Sequence, residues 1–131
     1  MEVIIICAFI AVLLPYLAKA PLAIAMNKES KYDNHYPRDQ QARLTGFGAR
    51  ALAAHQNSFE SLIVFSVALA IVLSTNNTSI TVQILAITYL VARVAYCIMY
   101  YINLDKLRSL MWLIGLLCPL TMIGLSLSKL A

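Results

Sequence analysis

The chain has 131 residues, of which 61% are hydrophobic and only 12% charged, with a net charge of +4. Soluble domains run near ~45–50% apolar and ~25% charged, so this composition excludes an ordinary soluble domain and fits a single membrane domain over residues 1–131. The positive balance gathers in two short connections rather than on a long basic arm, so nucleic acid is not an expected partner.

Four apolar stretches, 3–26, 50–74, 80–102 and 109–128, are each close to the ~20 residues that cross ~30 Å of hydrocarbon at ~1.5 Å per residue. The expected fold is all-α, a four-transmembrane-helix bundle. The first stretch is read as a retained span and not a signal peptide, because Glu2 stands where a positive leader would be and the apolar run is too long. Pro15 and Pro21 each remove a backbone donor from it, which predicts a kink, and Lys19 between them must snorkel or turn inward.

The connection after it carries Lys28, Lys31, Arg38 and Arg43 against three acids, and the link before the fourth span carries Lys106 and Arg108 against Asp105. The link between the second and third spans, "TNNTS", has no charge. Counting Lys and Arg places connections 27–49 and 103–108 in the cytoplasm and both termini outside, with Lys129 as a minor dissent. In the first connection Asp33, Asn34 and His35 are too few and too clustered for a metal or acid–base site, so no metal is expected there. Asn76 and Asn77 are formal glycosylation acceptors that a link this short argues against. Cys7, Cys97 and Cys118 all fall in apolar spans without metal spacing and are read as small buried hydrophobes.

At ~100° per residue, Arg50, Asn57 and Ser61 of the second span lie within ~40°, with Ala53 and Glu60 on the flank and His55 nearly opposite. In the third span Tyr89, Arg93, Tyr96 and Tyr100 share a face ~60° wide. Charged groups at membrane depth cost roughly 2.5–3.5 kcal/mol on insertion scales, so both faces turn into the bundle or a wet cleft. A Glu60–Arg93 ion pair holding two helices together is one outcome. The surplus of Arg50, Arg93 and Arg108 over the nearby acids Glu60 and Asp105 points instead to an anionic ligand.

Three motifs then converge on one resemblance. "YDNHYPR" and "LTGFGARALAAHQNSFESLIVF" carry an Arg, an Asn seven residues on and a Glu three further: Arg50, Asn57 and Glu60. "RVAYCIMY" carries Arg93, Tyr96 and Tyr100, and "RSLMW" carries Arg108, Ser109 and Trp112. In this order the chain resembles the MAPEG family, the membrane-associated proteins in eicosanoid and glutathione metabolism, as a bacterial-type member similar to microsomal glutathione transferases. It departs from several members at Ala53, where they carry a second arginine, and at Tyr96, where some carry a histidine.

The resemblance implies a homotrimer in the bacterial inner membrane, with glutathione as cosubstrate between subunits and open to the cytoplasm. It also implies that Arg50, Asn57, Glu60, Arg93, Tyr96 and Tyr100 bind glutathione. Arg50 and Arg93 suit its carboxylates and Glu60 its ammonium. Arg108, similar in position to the family's thiol-activating arginine, and Ser109 are the implied catalytic pair. Trp112 would shape the way in from lipid, or anchor the helix end at the interface. The connection with Asp33, Asn34 and His35 would cap the cytoplasmic opening, Pro37 starting a helix and Arg38 pairing with Asp33 or Asp39. The activity implied is detoxifying: transferase attack on an apolar electrophile or peroxidase reduction of a lipid hydroperoxide. The alternative is a non-catalytic trimer that binds a lipid or other small apolar ligand in the same cleft.

Overall fold

The structure, a computed structural model, describes residues 1–129, so the last two positions of the domain expected over 1–131 lie outside the described residues. It is all-α in those residues. Four long helices, α1 (Glu2–Ser30), α3 (Gly46–Ser74), α4 (Ile80–Tyr101) and α5 (Asp105–Leu127), are joined by tight links and one short helix, α2 (Pro37–Arg43). Each long helix is long and apolar enough to cross a membrane. Alternating directions put the α1–α3 connection and the α4–α5 link at one end, which is therefore the basic end. Asn76 and Asn103 take left-handed backbone in the two tight links, a conformation asparagine accepts more readily than most residues.

α1 pairs with α3 and α4 with α5, and α3 joins the two pairs. Ile4, Cys7, Ala11, Phe65, Val72, Val82, Ala86, Cys118 and Met122 form the main core in the half remote from the basic end. A smaller cluster of Leu22, Met26, Leu44 and Ala51 sits near the basic end. Large apolar side chains such as Phe9, Ile63, Ile84, Val91 and Leu117 remain on the outside, as a lipid-facing surface requires. Asn77 is the exception at the remote end: it is 2% exposed, and its Nδ2 donates to Ser126 Oγ at 3.2 Å, tying the α3–α4 link to α5. Its burial removes it as a glycosylation acceptor, whereas Asn76 stays exposed.

Two helix starts differ from the sequence expectation. α3 begins at Gly46 and not Arg50, and α5 at Asp105 and not Ser109. In both cases the helix continues past the hydrophobic run into the polar rim, because backbone hydrogen bonding does not end where apolarity does. Gly46 has φ 54°, which suits a residue without Cβ, and Gly48 lets Leu44 approach to where a Cβ would be 3.1 Å away. Pro15 and Pro21 lie inside one continuous helix, α1.

The 31–45 connection is clasped by a single side chain. Gln40 is 1% exposed; its Nε2 donates to Met26 O, Ser30 Oγ and Lys31 O, and its Oε1 accepts from Asp33 N at 2.9 Å. Gln40→Ala leaves these groups without partners and is expected to cost on the order of 2 kcal/mol, read as faster amide exchange over residues 31–36. The Arg38 pairing expected for Asp33 is replaced by a local turn: Asp33 Oδ1 accepts from His35 N at 2.8 Å and Tyr36 N at 3.0 Å. Short-range backbone donors win because they need no long side chain to be ordered. Pro37 does open α2.

Those two donors, Tyr36 first and then His35, hold the Asp33 carboxyl below its ordinary value. The stabilisation it gives the turn is therefore complete above the unfolded carboxylate range near ~3.9 and fades as pH falls through the lower folded value. Protection of the His35 and Tyr36 amides, taken relative to the intrinsic exchange rate at each pH, is expected to be flat above pH 5 and to fall below pH ~4, with Asp33→Ala removing the pH step.

Candidate functional site

Arg93 sits two turns inside α4, beneath the Tyr100 end of the helix, and is only 3% exposed. A guanidinium so placed must be partnered. Its Nη2 donates to Asn57 Oδ1 at 2.9 Å and Asn57 O at 3.3 Å, while Asn57 Nδ2 donates to Glu60 Oε2 at 2.8 Å. The direct Glu60–Arg93 ion pair that the sequence left as one outcome is thus replaced by a relay through one amide. This arrangement keeps Glu60 exposed, with its other oxygen available to a ligand.

An aromatic and cationic ladder runs from this relay to the basic end. The Arg93 guanidinium lies 4.3 Å from the Tyr96 ring centre, the Tyr96 and Tyr100 rings meet edge to face at 5.5 Å, and the Arg108 guanidinium lies 4.3 Å from Tyr100. Cation–π contacts hold the two arginines without neutralising them. Arg108 and Ser109 occupy the first turns of α5, near the end whose free N–H groups favour negative charge. Ser109 Oγ donates to Asp105 O at 3.0 Å, so its proton is engaged and its lone pairs are what it offers.

Two clefts open along this ladder. The outer one, about 190 Å³, is lined by Asn57, Tyr96, Tyr100, Arg108, Ser109 and Trp112. The inner one, about 140 Å³, is lined by Glu60, Arg93 and Gly115 among others, and it shares Asn57 and Trp112 with the outer one. Of the residues expected at the site, Asn57, Glu60, Arg93, Tyr96, Tyr100, Arg108 and Ser109 therefore line adjoining space. Trp112, 44% exposed, is the wall between them.

Arg50 lines neither cleft. It lies two turns nearer the basic end than Asn57, and its Nε is buried without a partner. Tyr89 is also outside: its ring stacks on Phe65 at 3.9 Å and its hydroxyl meets Ser61 Oγ at 3.1 Å, so this member of the tyrosine stripe belongs to the core. The periodicity placed Gly115 on no face at all; an interior glycine away from any helix end was the available signal.

A larger cavity, about 530 Å³, lies on the other side of α3, lined by Lys19, Arg38, His55 and Gln56 among others. His55 Nδ1 is 2.9 Å from Pro15 O. A carbonyl can only accept, so Nδ1 carries the proton and joins α3 to α1. This cavity has cations but none of the relay or ladder, so the chemistry is assigned to the two clefts. Asp33, Asn34 and His35 stay at the connection, and no group of three His, Cys, Asp or Glu side chains gathers among the described residues.

A family model described as the MAPEG family matches residues 3–128. No curated protein and no solved structure matches the chain.

Proposed function

The chain belongs to the MAPEG family, and from that membership we propose that it is a glutathione-dependent membrane enzyme, a transferase or peroxidase that presents the thiol as a thiolate to an apolar acceptor. The observation that carries this reading is the continuous surface from Glu60 through Asn57 and Arg93 to Arg108. Glutathione has an ammonium and a carboxylate on one carbon of its γ-glutamyl end. Glu60 and Arg93, linked by Asn57, offer an acceptor and a donor at matching separation from one amide. Tyr96 and Tyr100 wall the peptide portion, and the thiol reaches Arg108 at the mouth of the outer cleft.

There the guanidinium favours the ionised sulfur, whose free pKa is near ~8.5, and the α5 N-terminus adds to the effect. In conjugation the thiolate attacks carbon, a C–S bond forms, and the leaving group departs with its electron pair. In peroxide reduction two thiols become a disulfide while the hydroperoxide becomes an alcohol and water. Trp112 faces both the clefts and the exterior, so the acceptor arrives from lipid past it. The clefts are each smaller than the ~300 Å³ at which ligand pockets usually begin, which supports a homotrimer in which a neighbour closes them. The basic end faces the cytoplasm in this reading.

The test is turnover by purified protein in detergent with glutathione and, in separate assays, an activated aryl halide and a long-chain hydroperoxide. Activity with either acceptor supports the reading. Saturable glutathione binding with turnover of neither would favour the non-catalytic alternative.

A further inference from the structure

A glycine inside a long helix weakens it unless its missing Cβ serves a neighbour. α5 contains two, Gly115 and Gly124. A Cβ on Gly124 would meet nothing within 4 Å, whereas one on Gly115 would stand 3.1 Å from Cδ of Arg93 and 3.8 Å from its Nη1. Arg93 has little room to give way. It is 3% exposed, bonded through Nη2 to Asn57, and seated over the Tyr96 ring. With Nη2 engaged by Asn57, the donors left for a ligand on the Gly115 side are those of Nη1, and Gly115 lines the same cleft.

We propose that Gly115 is a positioning residue: its bare Cα lets α5 lie against the Arg93 stem and keeps open the path by which a ligand carboxylate reaches Nη1. The proposal rests on the reading of the inner cleft as the seat of the γ-glutamyl head, and it adds the residue on which selection for that carboxylate depends. A Cβ at 115 presses on the Arg93 stem and covers its Nη1 side, while Glu60 and Arg108 are untouched. The consequence is a loss of discrimination, not a general loss of binding.

The experiment measures affinity for glutathione and for its analogue lacking the γ-glutamyl carboxylate, using the full chain in detergent. Wild type, Gly115→Ala and Gly124→Ala are compared. Wild type and Gly124→Ala are expected to prefer glutathione by ~10-fold or more, as the loss of one charge-assisted carboxylate contact implies. Gly115→Ala is expected to bind both ligands equally, through weaker binding of glutathione alone. Full discrimination in Gly115→Ala, or equal weakening of both ligands, overturns the proposal.

If wild type binds neither ligand, the glutathione reading fails, and the contact itself is decided by labelling Arg93 with an arginine-specific dicarbonyl followed by mass spectrometry. Slower labelling of Arg93 in Gly115→Ala than in wild type and Gly124→Ala supports the proposal; equal or faster labelling overturns it. If Gly115→Ala does not assemble, Arg93→Ala in the same chain restores assembly when the clash is with the Arg93 stem, and failure of the double variant overturns the assignment.

Discussion

Arg108→Ala is expected to lower turnover ~100-fold at pH 7 while glutathione affinity changes only a few-fold. A thiol with pKa ~8.5 is only a few per cent ionised at pH 7, and a guanidinium that lowers it by ~2 units raises the thiolate fraction by ~25-fold. The remaining few-fold reflects loss of the charge that fixes the sulfur beside the acceptor. Arg108 is suited to this role because it is held by the Tyr100 ring at 4.3 Å and not by a carboxylate, so its charge remains available. The sign of the pH effect follows. Wild-type turnover is expected to be half-maximal at pH ~6.5 and to level off just above pH 7, whereas the rising limb of Arg108→Ala moves up toward pH ~8.5, so much of the lost rate returns in alkaline buffer. Arg108→Lys keeps the charge but loses the planar stack and is expected to fall between the two. Ser109→Ala is expected to cost less, because that hydroxyl already donates to Asp105 O.

The largest stability effect is expected at Asn57. Asn57→Ala removes the 2.9 Å bond from Arg93 to Oδ1 and cuts the relay to Glu60, leaving Arg93 only the 3.3 Å contact to the backbone carbonyl of residue 57. Hydrogen bonds to charged groups are worth roughly 1.5–3 kcal/mol, and a buried guanidinium left with only a longer backbone contact adds to the loss, so a cost on the order of 3 kcal/mol follows. The midpoint of thermal unfolding in detergent reads it. Arg93→Leu combined with Asn57→Leu is expected to be milder than the sum of the single variants, since no unpartnered charge then remains. Additive losses would mean that the two residues are stabilised separately.

The helices and the polar faces were legible in the sequence for a simple reason: spans are set by apolar length, and α-helical periodicity fixes which side chains share a side. Arg93, Tyr96 and Tyr100 do form a connected stripe, which Asn57 meets directly and Glu60 through Asn57. Periodicity could not separate Tyr89 from that stripe, because the difference lies in depth along the helix: at Tyr89 the neighbour is Phe65 of the core, and at Tyr96 it is an open cleft. Arg50 shares Asn57's face yet lines neither cleft, which a shared face alone does not reveal. The Gln40 clasp and the buried Asn77–Ser126 bond depend on contacts between segments far apart in the chain, which no local pattern encodes. Hydropathy also hid the first turns of α3 and α5, and with them the fact that Arg108 stands inside a helix.

The central claim is that Arg108 makes a thiolate of bound glutathione. It is tested most directly by ultraviolet difference absorbance in the thiolate band, on the detergent-solubilised protein titrated with glutathione at pH 7, with Arg108→Ala measured alongside. A saturable band in wild type that is lost in Arg108→Ala is the expected result. Saturable glutathione binding with no thiolate band, or a band of equal size in Arg108→Ala, would contradict the assignment of Arg108 as the thiol-activating residue.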